Sequence, residues 1–278
     1  VFTFDKVQLI LSLTNTMKKI TTFIAFGMAA LSAVAQAPNF TALDKGIKVT
    51  GYENPKTFLN AKLELDQSLF AGKDMLDTGA TTFKFKVDNY TLGAQTPDAG
   101  TLMCANSAKG QHIHFILDNQ PYVASYSPEV KATLKPGHHV LLAFLSRSYH
   151  ESLKSKSAYI LEEFDVAKKG PDQFDAKKPH IFFSRPKGEY VGEKETKKVL
   201  LDFYLINCTL SEKGYKVKAT INGAEFTLTK WEPYFIEGLP LGENKIKLEL
   251  LDKNNKLVDT EFNGTERNIK LLAEPAAK

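Results

Sequence analysis

Five of the six histidines fall in one stretch of the chain: His112, His114, His138, His139 and His150. His112 and His114 are separated by one residue, so on a β-strand both imidazoles project from the same face. Two imidazoles side by side can share a divalent ion, and neutral imidazole suits zinc or copper(II), whereas calcium prefers harder oxygen ligands. His139 opens a later strand after Lys135-Pro136-Gly137, and His150 lies in Arg147-Ser148-Tyr149-His150-Glu151-Ser152. The expected metal set is therefore His112, His114, His139 and His150. The competing reading makes the same rings hydrogen-bonding or surface groups. Around them, Asp118, Tyr122, Arg147 and Glu151 form an expected ligand-binding set. Arg147, with His150 and Lys154, could meet a small anionic group such as a carboxylate or phosphate. The alternative there is a solvated charged hairpin.

The elements that must position these residues are written twice. Tyr126-x-Pro128-x-Val130, then Leu134 and Gly137, matches Trp231-x-Pro233-x-Phe235, then Leu239 and Gly242, at identical spacings. Upstream, Val87–Leu92 aligns with Leu205–Leu210, and His112–Leu117 with Lys216–Ile221. Leu63–Gly72 resembles the region of Ile181–Gly188, and Ile160–Phe164 that of Asn268–Leu272. The first copy carries 14 extra residues between its aligned strands, an inserted loop. In the second copy the five histidines are replaced by Lys216, Lys218, Glu243, Asn244 and Asn255. The repeated fold thus has no general need of imidazole at these places.

Each copy offers six or seven short β-rich runs over about 100 residues, the strand density of an immunoglobulin-like sandwich. Val217, Ala219 and Ile221 alternate with Lys216, Lys218 and Thr220, and Asn222-Gly223 is a type I′ hairpin signal. Such alternation predicts antiparallel sheets with one wet face. By the alignment, Ile113, Phe115 and Leu117 should face the core opposite the two histidines. The expected fold is all-β: two tandem immunoglobulin-like antiparallel sandwiches at 55–167 and 179–275, joined by a linker at 168–178. Residues 36–54 form an N-terminal lead.

Residues 1–35 read as upstream sequence plus an export signal. Met17-Lys18-Lys19 is the expected start, Phe23–Ala35 the apolar stretch and Ala33-Val34-Ala35 the cleavage site. About 13 apolar residues are short for a bilayer core of roughly 30 Å. A two-part membrane anchor is the alternative, and no later segment reaches transmembrane length. The expected location is the periplasm or the exterior. From residue 36 onward there are 33 basic and 31 acidic residues, a net +2, which leaves no field of the size nucleic-acid binding requires. Export permits disulfides, but Cys104 and Cys208 fall in different copies; Cys208, in an apolar run, suits a buried thiol.

The stretch Gly110-Gln111-His112-Ile113-His114-Phe115-Ile116-Leu117-Asp118, followed by Leu134-Lys135-Pro136-Gly137-His138-His139, resembles a family of exported bacterial β-sandwich proteins. Their pattern is G-x-H-x-H-x-x-x-D with L-x-P-G-x-H. The two-copy layout is similar to members labelled phosphopeptide-binding. The resemblance covers most of the chain after the signal and implies a binding role, with no catalytic residues to carry over. Gly110-x-His112-Ile113-His114 is also similar to the copper-binding strand of copper–zinc superoxide dismutases. The departure is downstream, where the next histidine pair is 24 residues on and no His-rich zinc loop follows.

No G-x-S-x-G, H-E-x-x-H or P-loop motif occurs, and Glu162 and Glu163, adjacent in a strand, point to opposite faces. The resulting expectation is an exported, non-enzymatic binding protein. Its first copy would take a divalent metal, zinc or copper, or another ligand: a small anion, a peptide or an envelope component. A copper- or zinc-dependent enzyme of dismutase-like sandwich type and a purely structural envelope protein are the two rival classes.

Overall fold

In a computed structural model the described residues are 40–53, 57–170 and 174–275. The expected signal segment lies outside them. Seventeen strands are defined: β1 Phe40–Asp44, β2 Ile47–Gly51, β3 Lys62–Leu65, β4 Gly79–Asp88, β5 His112–Leu117, β6 Val123–Ser125, β7 Glu129–Leu134, β8 Gly137–Ser146 and β9 Tyr159–Val166; then β10 His180–Arg185, β11 Gly188–Val191, β12 Val199–Ile206, β13 Lys216–Ile221, β14 Ala224–Leu228, β15 Tyr234–Glu237, β16 Gly242–Leu251 and β17 Thr265–Leu272. The α-helix among the described residues is a single turn, Glu193–Thr196. None of their helices is long and apolar enough to cross a membrane.

The repeat in the sequence is a repeat in topology. The first sandwich sets β3-β4-β7 against β6-β5-β8-β9; the second sets β10-β12-β15 against β14-β13-β16-β17. Strand follows strand in the same order, and the pairings are antiparallel apart from β11, which lies parallel to β17. The aligned Asn89 and Asn207 both adopt left-handed backbone, as do Gly137 and Gly242, because the same turns recur. Tandem immunoglobulin-like sandwiches are thus the architecture.

Two expectations about its layout change. Residues 40–51 of the segment read as an N-terminal lead are part of the second sandwich: β1 pairs with β2, and β2 pairs with β15 from Tyr234↔Gly51 to Glu237↔Lys48. Alternating Ile47 and Val49 enter that core, which short apolar strands do whenever an open sheet edge accepts them. Within the segment read as a linker, Phe174 is likewise not free of the body: it is buried and stacks on His180 at 4.1 Å.

The more consequential difference concerns the wet face. It holds for β13, where lysines alternate with Val217, Ala219 and Ile221. It fails for β5 and β8, whose residues are buried almost throughout. Ile113, Phe115, Leu141, Ala143 and Leu145 fill the first sandwich's own core, as the alternation requires. The opposite face, with Ile116, Val140, Leu142 and Phe144, packs on Phe182, Tyr204 and Ile206 of β10 and β12. Four sheets therefore stack, with apolar cores inside each sandwich and a third core between them. The continuous run Val140-Leu141-Leu142-Ala143-Phe144-Leu145 is what burial on both faces demands. The inserted loop joins the same interface: its Cys104 packs with Tyr149, Leu200 and Phe235. Polar contacts close the seam. The Phe183 amide donates to Asn119 Oδ1 at 2.9 Å, and the Asp202 carboxylate meets Lys154 Nζ at 2.9 Å.

Candidate metal centre

On β5, His112 and His114 share the face that looks into the core between the sandwiches, and both are fully buried. Their Nε2 atoms lie 2.9 Å apart. His150 reaches the same point from the loop after β8, its Nδ1 standing 3.1 Å from His112 Nε2. One ligand nitrogen from each ring falls within 4.8 Å of the other two. A tetrahedral ion with bonds near 2.05 Å would hold its donors about 3.3 Å apart.

The surroundings set the tautomers. His112 Nδ1 faces the Gly110 carbonyl at 2.8 Å and donates to it, which leaves Nε2 as a bare lone pair in the neutral ring. That single lone pair is faced by both His114 Nε2 and His150 Nδ1, and it cannot serve two donors well. Three lone pairs turned toward a cation remove the conflict. His114 Nδ1 stands 3.2 Å from Ser184 Oγ of β10, the kind of outer hydrogen bond that orients a ligating imidazole. Burial holds the rings in the neutral form that binds metals: His112 is pushed down to about 4, and His114 and His150 well below the usual imidazole range. Nearby Arg185 and Lys187 push in the same direction.

The loop that delivers His150 is braced by the insertion. Ser148 and Thr96 exchange hydrogen bonds, amide to hydroxyl in each direction, at 2.9 and 3.2 Å, and the Ser107 amide donates to the Ser148 carbonyl at 2.9 Å. His150 itself has φ 72°, a left-handed conformation that costs a residue with a Cβ about 1 kcal/mol or more. Gly110, whose carbonyl orients His112, has φ 85°, and a Cβ there would meet the Gly93 carbonyl oxygen at 2.3 Å. The residues absent from the second copy thus serve the histidines absent from it.

His139 does not join the cluster. Its Nδ1 is 2.7 Å from Asp118 Oδ2 and its Nε2 2.8 Å from the Lys135 carbonyl, so both nitrogens are spent on oxygen acceptors. The second copy explains why: Asn222 Nδ2 donates to Asn244 Oδ1 at 2.7 Å, and Asn244 Nδ2 to the Pro240 carbonyl at 2.9 Å. His139 and Asp118 form a turn clamp that the repeat builds elsewhere from two asparagines. The sequence carries this signal in the alignment of Asp118 with Asn222 and of His139 with Asn244.

The expected ligand-binding residues separate into three places. Asp118 belongs to the clamp. Tyr122 stacks on His114, with ring centroids 3.5 Å apart and planes at 8°. Arg147 and Glu151 face a cleft of about 520 Å³ whose walls also include Phe58, Lys154 and Trp231. There Arg147 donates to Thr57 Oγ1 at 2.7 Å and lies 3.6 Å from the Glu151 carboxylate. Burial raises the Glu151 carboxyl to about 7 against the opposing pull of Lys154 and Arg147. Lys154, expected to meet an anion beside Arg147, does line this cleft, and His150 does not; Trp231 was in no expected site, although it is the repeat partner of Tyr126.

The cysteines are both free. Cys104 is the buried one, and Cys208 is half-buried against the second core.

No family model and no curated protein matches the chain. Among solved structures it is similar to the fibronectin(III)-like modules of Clostridium thermocellum CbhA, at 13% identity over 76% of this chain and 94% of that one, with a TM-score of 0.24. It is similar also to SGBP-B of the Bacteroides ovatus mixed-linkage glucan utilization locus, solved with a mixed-linkage heptasaccharide, at 10% identity over 76% and 70% and a TM-score of 0.21. A two-domain fibronectin type-III segment of chicken tenascin matches at 9% identity over 76% and 98%, with a TM-score of 0.20. Similarity at this level bears on neither site nor ligand.

Proposed function

We propose that this is an exported, non-enzymatic binding protein whose first sandwich holds one zinc or copper(II) ion through His112, His114 and His150. The observation that carries the reading is the convergence of three buried, neutral imidazole nitrogens on one point, with His112 Nε2 facing both neighbours. Export is supported by Met17-Lys18-Lys19 and the apolar stretch ending Ala33-Val34-Ala35. The three imidazoles sit where the two sandwiches meet, so the second sandwich walls the proposed site.

The test is metal content. Tag-free protein dialysed against zinc or copper and then against buffer should retain one ion per chain by mass spectrometry. His112→Ala and His114→Ala should retain none while keeping a β-rich circular dichroism spectrum. Wild-type protein without stoichiometric metal would overturn the reading.

The small anionic ligand is assigned to the cleft beside Trp231, supported by three cationic side chains on its wall, Arg147, Lys154 and Lys230, which stand among Glu53, Glu151 and Glu232. Trp231 is the chain's single tryptophan, so its fluorescence reports the cleft directly. Titration with inorganic phosphate should change it saturably, and an unchanged signal would remove this assignment.

A further inference from the structure

The two sandwiches differ along one edge. In the second, the outer edge of β15 is covered by the β1–β2 hairpin, and β1 reaches on to the facing sheet, where Asp44 Oδ2 accepts from the Glu225 amide of β14 at 3.0 Å. In the first, β7 holds the place of β15 and β6 that of β14, and among the described residues β7 pairs with β4 alone. Opposite Thr81 and Phe83 stand Ala132 and Val130; opposite the aligned Val199 and Leu201 stand Ile236 and Tyr234. Ala132 is thus the counterpart of Ile236, one residue off the sequence alignment of Pro128 with Pro233. Ile236 is fully buried and has Val49 of β2 beside it, whereas Ala132 is half-buried and Val123 of β6 is 51% exposed.

The backbone of this edge is set to pair. The Phe85 amide donates to the Pro128 carbonyl at 2.7 Å, so by antiparallel alternation Val130, Ala132 and Leu134 turn their bonds to β4, and Lys131 and Thr133 turn theirs outward. Apart from Lys131, whose side chain faces solvent, the strand carries none of the devices that blunt an edge. Its register runs without a bulge from Gly79↔Leu134 to Lys84↔Glu129, and no proline or inward-facing charge interrupts it.

The residues of the edge select what covers it. Glu129-Val130-Lys131-Ala132-Thr133-Leu134-Lys135 is complementary to itself when laid antiparallel about Ala132. Glu129 then faces Lys135 of a second copy, Val130 faces Leu134, Lys131 faces Thr133, and the small Ala132 faces its own equivalent on the two-fold axis. Opposite charges meet at both ends, no like charges stand directly opposite, and the apolar inner row runs from one core into the next. We propose that two copies of this chain join edge to edge along β7, making one continuous sheet in the order β3-β4-β7-β7-β4-β3. Such an interface is isologous, so it closes as a dimer. Lys131 and Thr133 supply the amides and carbonyls of the new ladder, and it ends at Glu129, whose carbonyl already accepts from Ser125 Oγ at 2.8 Å. His112 and His114 lie on β5 in the other sheet of this sandwich, so the metal centre is untouched by the pairing.

Sedimentation velocity on the tag-free chain over a concentration series tests the pairing. Wild type should sediment as a reversible dimer. Glu129→Lys and Lys135→Glu each set like charges opposite one another at both ends of the ladder, and each alone should raise the dimer Kd about tenfold or more. Mixed in equal amounts, the two variants restore both ion pairs and should form a heterodimer. Both positions are exposed, so the circular dichroism spectrum should not change. Ala132→Cys should cross-link chain to chain on oxidation, because residues of a non-hydrogen-bonded antiparallel pair have Cα atoms about 4.5 Å apart. Wild type that stays monomeric at the highest concentration reached would overturn the proposal. So would a dimer indifferent to both charge reversals, a mixture that fails to restore association, or Ala132→Cys cross-linking no faster than the exposed control Lys253→Cys.

Discussion

The Asp118 carboxylate accepts from His139 Nδ1 at 2.7 Å, and in the second sandwich Asn222 donates to Asn244 across the same turn at the same distance. Asp118 Oδ1 also accepts from the Val140 amide at 2.9 Å, as Asn222 Oδ1 accepts from Lys245 at 2.8 Å. Two residue pairs of different chemistry thus do one job, pinning the start of β8 or β16 to the end of the preceding hairpin strand.

The double variant Asp118→Asn with His139→Asn, which installs the second copy's pair, should therefore be tolerated, with unchanged metal content and a urea midpoint close to that of wild type. His139→Ala leaves the Asp118 carboxylate and the Lys135 carbonyl without this donor, and should cost about 1–3 kcal/mol. Metal lost from the double variant while the fold is retained would show that His139 belongs to the centre after all.

The same comparison shows what could be read from residues alone. Duplication, strand order and the facing of Ile113 and Phe115 were legible because side-chain alternation is a local property of each strand. His112 and His114 followed from the same period. His150 was legible only as a nearby imidazole, since a loop with φ 72° at that residue has no period to read. What was hidden depends on pairing between distant segments: β2 adding to β15, and the sheet of β5 and β8 packing on β10 and β12. The run of six apolar residues at 140–145 hinted at two-sided burial, but it named no partner.

The interface between sandwiches should carry a large share of stability. Phe144 and Tyr204 stack across it with centroids 4.9 Å apart and planes at 19°, and both are fully buried. Phe144→Ala should cost about 3–5 kcal/mol. Wild type should unfold in one transition by fluorescence and circular dichroism alike. A Phe144→Ala loss below 1 kcal/mol would mean the two sandwiches do not depend on each other.

A buried ion pair spans the same seam. Asp202 on β12 is inaccessible, and its carboxylate accepts from Lys154 Nζ at 2.9 Å and from Ser152 Oγ at 3.0 Å. Removing one partner strands the other charge, so Asp202→Ala should destabilise by about 3–5 kcal/mol. Replacing both, as Asp202→Leu with Lys154→Met, should recover most of that loss, because the desolvation penalty of the pair disappears with it. A double variant no more stable than the single one in urea unfolding would assign the cost to packing instead.

The two thiols give a reading of the whole body through pH. Burial raises Cys104 to about 11 and Cys208 to about 12, against about 8.5 for a free thiol. At pH 8 roughly one Cys104 in a thousand is then thiolate, the form that reacts. Folded protein should therefore react slowly with a disulfide reagent at pH 8 and release two thiols per chain once denatured. The stability these neutral thiols contribute is full below the unfolded pKa of about 8.5, and it is lost as pH rises toward their folded values, since the unfolded chain gives up its protons first. Alanine at both positions should flatten that part of the stability profile between pH 8.5 and 11. Fewer than two thiols after denaturation without reductant would mean that the cysteines had paired, which the packing of Cys104 and Cys208 in different cores opposes.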